Sequence, residues 1–112
     1  MTTTRQHKVS RLLQKELGNY LQKNGSGIAR GKMVTVTIVR ISPDLGVAKV
    51  YVSLFPGDGL DEALQSISDK ALLIRREMGK RLGNQLRHIP EFVFYLDDSL
   101  DYIENIDNLL HD

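Results

Sequence analysis

Val34-Thr35-Val36-Thr37-Ile38-Val39-Arg40-Ile41-Ser42-Pro43-Asp44-Leu45-Gly46-Val47-Ala48-Lys49-Val50-Tyr51-Val52-Ser53-Leu54-Phe55 is the stretch that decides the fold of this chain. Residues 34–42 are rich in Val, Thr and Ile, which predicts a strand, and Ser42-Pro43-Asp44-Leu45-Gly46 has the chemistry of a turn. Residues 47–55 read as a second strand. In it Ala48, Val50, Val52 and Leu54 alternate with Val47, Lys49, Tyr51, Ser53 and Phe55, so the first set faces the core. The first strand breaks its own alternation. Val34 and Val36 share one phase, while Val39 and Ile41 share the other. A β-bulge near Thr37 or Ile38 reconciles them, because one extra residue flips every later side chain to the opposite face.

Outward from this hairpin the pattern is helical. Thr2, Thr3 and Thr4 are candidate N-caps for a helix over residues 5–23. Its Val9, Leu12, Leu13, Leu17, Tyr20 and Leu21 follow the i, i+3, i+4 spacing of one buried stripe. At about 100° per residue, Lys8, Arg11 and Lys15 fall together on the opposite side. Asn24-Gly25-Ser26-Gly27 is expected to end this helix, with Arg30 and Lys32 in and beside the loop that follows. After the second strand, Pro56-Gly57-Asp58-Gly59 leads into another apolar stripe, with Asp61 and Glu62 suited to its first turn. The stripe runs from Leu60 through Ile67, Ile74 and Met78 to Leu86, long enough for a kinked helix or two abutting ones. Opposite it Arg76, Lys80 and Arg87 align, flanked by Gly79 and Gly83, where a phosphate has access to the backbone. Pro90 stops the helix and residues 91–96 form a third strand. Ser99 then caps a short acidic helix with Leu100, Ile103, Ile106 and Leu110 on one side. The expected order is α-β-β-α-α-β, an α+β fold with a three-stranded sheet and a short C-terminal acidic helix. Residues 1–112 are read as a single domain, with a core over 5–97 and the acidic helix over 98–112.

Composition removes several classes of function. With 112 residues, 41% of them hydrophobic, one core is feasible and a disordered chain is not. There are no cysteines, so disulfides and thiolate chemistry are excluded. No apolar run approaches the roughly 20 residues of a membrane helix, and the first residues have no apolar signal segment. A cytoplasmic protein without membrane contact is expected. No phosphate loop and no G-x-G-x-x-G is present, and His7, His88 and His111 lack metal-ligand spacing. Asp97, Asp98 and Asp101 resemble a hard-cation cluster, but acids at a helix N-terminus are stabilised by its dipole. No serine has a base partner, so no enzyme, cofactor or metal is expected.

Charge is informative once it is resolved along the chain. The net charge of +1 conceals segregated blocks. Residues 1–49 carry nine bases against two acids, and residues 50–69 four acids and no base. Residues 70–87 carry six bases against one acid, and the last 25 residues seven acids without Lys or Arg. Basic helix faces of this kind neutralise phosphates and release counterions. Lys8, Arg11, Lys15, Arg30, Lys32, Arg40, Lys49, Arg76, Lys80 and Arg87 are the candidate RNA contacts. For stacking, Tyr51 and Phe55 on the open strand face offer a small platform, so binding by shape and backbone is expected. The competing reading is a protein-interaction adaptor that uses the acidic tail and the open sheet face.

Several of these stretches resemble one family, ribosome-binding factor A. They are Ser42-Pro43-Asp44-Leu45 followed by Ala48-Lys49-Val50-Tyr51-Val52-Ser53, then Ile74-Arg75 with Gly79-Lys80. Pro90-Glu91-Phe92-x-Phe94, Asp97-x-Ser99 and Ile106-x-x-Leu109-Leu110 follow in the family's order. The resemblance implies a type II KH-like domain without the G-x-x-G clamp, since none of the nine glycines lies three residues from another. It also implies an Ala-x-Gly kink between the second and third helices, where this chain has Lys70-Ala71-Leu72 and therefore no glycine. By the same resemblance the protein is a monomer that binds the free 30S ribosomal subunit and its 16S rRNA. It would assist late maturation and 5′-end processing, matter most in the cold, and leave with the help of a ribosome-associated GTPase.

Overall fold

The computed structural model describes residues 3–97. The expected acidic helix with Ser99, Leu100, Ile103, Ile106 and Leu110 lies outside the described residues. Within them the order is α1 (Thr4–Ile28), β1 (Met33–Ile41), β2 (Val47–Phe55), α2 (Leu60–Asp69), α3 (Ala71–Leu82) and β3 (Glu91–Leu96). This is the α+β order α-β-β-α-α-β read from the sequence. The strands form one sheet in the order β1-β2-β3, with β1 and β2 antiparallel and β2 and β3 parallel. Among the described residues the helices cover one face and leave the other open.

The bulge sits where the broken alternation requires it. Val36 pairs with Val52 and Ile38 with Tyr51, leaving Thr37 as the extra residue. Val34, Val36 and Val39 therefore all point inward and are buried, while Arg40 stays outside. Three contacts hold the bulge. The Thr37 hydroxyl donates to the Tyr51 carbonyl at 3.2 Å and contacts the Asp97 carboxylate, and the Gln14 amide donates to the Thr37 carbonyl at 3.0 Å. Ala48, Val50, Val52 and Leu54 are buried as the β2 pattern demands, and Phe92 and Phe94 of β3 extend the same inner face.

Helix α1 begins as predicted and ends later. Thr3 is the N-cap, its hydroxyl accepting from the Gln6 amide while the Gln6 side chain accepts from Thr3 N, a capping box. The helix does not stop at Asn24-Gly25-Ser26-Gly27 but runs on to Ile28. Asn24 donates its side-chain amide back to the Tyr20 carbonyl at 3.0 Å instead of capping. Gly25 continues the buried stripe between Leu21 and Ile28, and its missing side chain lets the helix lie close on β1. The chain turns only at Arg30 and Gly31, both with positive φ.

The long apolar stripe of residues 60–86 resolves into two helices. Lys70 breaks it at φ −98° and ψ 10°, a conformation that a non-glycine residue tolerates, so the break forms without the glycine of the family pattern. Asp61 and Glu62 occupy the first turn of α2 as expected. The stripe stops as a helix at Leu82, short of the expected Leu86. Ala63 and Ile67 of α2 and Ile74, Met78 and Leu82 of α3 are fully buried and join α1 and the sheet in one core.

The Gly25 approach yields a direct test. A Cβ at this position would stand 2.9 Å from Val34 Cγ2 and 3.0 Å from Val34 Cβ. Overpacking of this kind costs about 1–3 kcal/mol, against a helix-propensity gain of at most about 1 kcal/mol. Gly25→Ala is therefore expected to lower stability in urea by about 1 kcal/mol. Adding Val34→Ala should make the Gly25 substitution less harmful than it is alone. A stabilised single variant would contradict the close approach.

Candidate nucleic-acid interface

The segment between α3 and β3 builds one wall of a groove. After Leu82 the chain makes a tight turn, with Gln85 N donating to Leu82 O at 2.8 Å and Leu86 N to the same carbonyl at 2.9 Å. Two bonds then fasten the segment. Arg75 Nε donates to the Ile89 carbonyl at 3.0 Å, and Glu91 N donates to the Gly46 carbonyl at 2.9 Å. The second bond holds the end of this segment against the hairpin turn. Between that turn, the first turns of α1 and residues 85–90 lies the groove, of about 1010 Å³.

Four cations line this groove: Arg5 and Lys8 from α1, Arg75 from α3 and Arg87 from the connecting segment. Its apolar lining includes Val9, Leu12, Leu86 and Ile89. Among the described residues Asp44 is its one carboxylate, and the turn already occupies it. The Ser42 hydroxyl donates to Asp44 Oδ1 at 2.6 Å and the Gly46 amide at 3.0 Å, and these bonds, the hydroxyl's first, hold the carboxyl below its ordinary value. None of the four cations forms an ion pair among the described residues.

The sequence-predicted contacts divide into several groups. Lys8 and Arg87 meet in this groove. Arg11 and Lys15 line a second, shallower groove of about 660 Å³ between α1 and β1. Arg40 and Lys49 are register neighbours on the open sheet face. The expected alignment of Arg76, Lys80 and Arg87 does not form, because α3 ends before Arg87. Arg76 and Lys80 are exposed on α3, outside the groove, and Lys80 lies 3.5 Å from Glu77. A Cβ at Gly79 would stand 3.8 Å from Ile89 Cγ1, an ordinary contact. Arg30 lies beside Asp61, Glu62 and Asp69 of α2, an acidic neighbourhood.

Lys32 stands apart from the other candidate contacts. It is only 8% exposed, and its ammonium donates to the Pro56 carbonyl at 2.9 Å and lies 3.4 Å from Asp58. It fastens the ends of the hairpin strands, which leaves little of its side chain exposed. Asp58 is held below its ordinary value, first by its own backbone amide and then by the Lys32 ammonium. Arg5 and Arg75 are the groove residues that sequence reasoning missed. Arg5 lies three residues before Lys8 on the same helix, a legible signal. Arg75 reaches the groove through a tertiary bond that no local pattern encodes. No group of three or more His, Cys, Asp or Glu suited to a metal occurs among the described residues, where Asp97 is bonded to Thr37. No helix among them is long and apolar enough to cross a membrane.

Fold and groove together define a small KH-like α+β protein of the α-β-β-α-α-β order with a basic groove. Residues 5–110 match the family model described as ribosome-binding factor A, and the chain belongs to that family. It is 44% identical to ribosome-binding factor A of Flavobacterium psychrophilum over 114 residues, covering 98% of this chain and 85% of the relative. It is 42% identical to that of Brevibacillus brevis over 113 residues, covering 100% and 91%. The crystal structure of ribosome-binding factor A from Thermus thermophilus has the same fold, with a TM-score of 0.67 at 23% identity over 81% of this chain and 94% of that one. A homology model of the Thermus protein, fitted into a cryo-electron microscopy map of its complex with the 30S subunit, gives a TM-score of 0.58 at 23% identity. It covers 78% of this chain and 93% of that one.

The two tethered carboxylates predict an acid limb of stability. Each is lowered in the folded state, so its contribution is present above the unfolded value near 3.8 and is lost as pH falls through the lower folded value. Urea midpoints measured from pH 7 down to pH 3 should fall below about pH 4. In the double variant Asp44→Asn with Asp58→Asn this fall should be shallower. An unchanged slope would show that these bonds do not bias the two carboxyls.

Proposed function

We propose that this chain is an assembly factor for the small ribosomal subunit. It docks on the 16S rRNA of the free 30S subunit and assists late maturation and 5′-end processing, without catalysis of its own. The observation that carries this reading is the convergence of Arg5, Lys8, Arg75 and Arg87 on one groove with no ion-pair partner among the described residues. Cations left unpaired around a concave surface hold a polyanion by counterion release and by charge-assisted bonds from Arg. Family membership supports the ribosome as the source of that polyanion, and the Thermus relative's complex with the 30S subunit supports the small subunit.

The protein acts as one KH-like domain spanning residues 1–112, a cytoplasmic monomer whose core is residues 5–97. It carries no phosphate loop and can therefore act only by binding one RNA conformation better than another. Release then falls to a partner with its own energy source, for which a ribosome-associated GTPase fits. The same logic accounts for a greater need in the cold, where misfolded RNA helices persist.

Charge reversal tests the docking face. In the full-length protein, Lys8→Glu with Arg87→Glu should weaken co-sedimentation with purified 30S subunits roughly tenfold or more. Stability should stay within about 0.5 kcal/mol per surface substitution. Arg76→Glu with Lys80→Glu, outside the groove, should weaken it less. Wild-type affinity in the groove variant would overturn this face.

A further inference from the structure

The open face of the sheet is unlike the rest of the surface. Among the described residues, seven large apolar side chains are exposed, and five of them stand on this face: Met33, Ile38, Phe55, Val93 and Tyr95. Ile38, Tyr51 and Tyr95 form one row across the three strands, and Arg40, Lys49 and Val93 form the next. From the β1 side the Arg40 guanidinium lies over the Tyr51 ring, 5.9 Å from its centroid. From the β3 side Tyr95 stacks on Tyr51, with centroids 5.4 Å apart and planes 26° from parallel. The result is a continuous stack of Arg40, Tyr51 and Tyr95 that ends at an edge strand. The Tyr95 ring has no second aromatic or cationic neighbour among the described residues.

The charge on this face selects its occupant. Arg40 and Lys49 lie side by side in the middle of it, while Glu91 stands at its end, opposite Val47. An apolar protein surface would strip water from both cations without replacing it, a costly burial. A nucleotide satisfies both demands, because its base has a flat apolar face and its phosphate is an anion. We infer that this face takes unpaired RNA bases, one of them stacking on Tyr95 to extend the Arg40–Tyr51–Tyr95 series while Arg40 and Lys49 meet the flanking phosphates. A base can stack there only once it has left a duplex. The face therefore favours RNA with an unpaired segment, a discrimination that backbone docking in the basic groove does not provide. The inference rests on the RNA-docking reading above for its ligand, but it uses a separate surface.

Two labelled RNAs test it on the full-length protein by fluorescence anisotropy: an unstructured ten-nucleotide strand, and a hairpin of the same number of nucleotides whose two fully paired arms are joined by a non-nucleotide linker, so that no base is unpaired. The strand is expected to bind more tightly than the hairpin. Tyr95→Ala should weaken the strand roughly 5- to 150-fold, the range for losing one stacked base, and leave the hairpin unchanged. Tyr95→Phe, which keeps the ring, should stay close to wild type. The groove variant Lys8→Glu with Arg87→Glu should weaken both RNAs, which separates loss of this face from loss of the docking reading. Equal binding of strand and hairpin, or an unaffected Tyr95→Ala, would overturn the inference. So would a Tyr95→Ala that loses 30S association yet binds the strand normally, because the face would then hold a protein.

Discussion

One extra residue in β1 sets both faces of this protein. Without the bulge at Thr37, Val39 and Ile41 would lie on the open face and Arg40 would point into the core, where an unpaired charge is costly. With it, every apolar residue of the hairpin's inner phase meets the helices, and Arg40 lies over Tyr51. The contacts that hold Thr37 come from three directions: Gln14 of α1, Tyr51 of β2 and Asp97 just after β3. A helix, the central strand and the end of the sheet thus converge on one irregular residue. The local kink costs ladder bonds, and the tertiary structure supplies replacements for them.

Much of this was legible because strand patterning is a local property. β2 and β3 have the bounds read from the sequence, and the bulge was visible as a conflict between two phases of valine and isoleucine. What was not legible depended on partners distant in sequence. Asn24-Gly25-Ser26-Gly27 has the composition of a helix stop, yet Gly25 serves the approach of α1 to Val34, so packing overrides local preference. Lys32 reads as a loop cation until the strand ends place a carbonyl and a carboxylate beside it. Arg87 looked helical because the apolar stripe continues to Leu86, although in the structure the helix ends at Leu82 and Leu86 packs from a turn.

The same distinction applies to charge. Counting cations assigned RNA contact to ten positions, but position in a sequence does not say which cations are already satisfied. Lys32, Lys80 and Arg81 have carboxylate neighbours, and Arg81 also lies over Tyr20 at 5.3 Å. Among the described residues, those that line the groove without an ion-pair partner are Arg5, Lys8, Arg75 and Arg87. They come from two helices and a connecting segment, and the bonds of Arg75 and Glu91 set that segment in place. The groove is therefore a consequence of the fold, not of any one helix face.

A groove that holds phosphates, as proposed above, makes binding depend on salt. The most direct measurement is the salt dependence of binding to purified 30S subunits, compared between the wild-type chain and a variant with Arg5, Lys8, Arg75 and Arg87 all changed to Gln. Four phosphate contacts predict that log K falls with log salt at a slope of about −3 to −4 for the wild type. In the variant most of that slope should be gone. A flat wild-type response, or an equal slope in both proteins, would contradict the account.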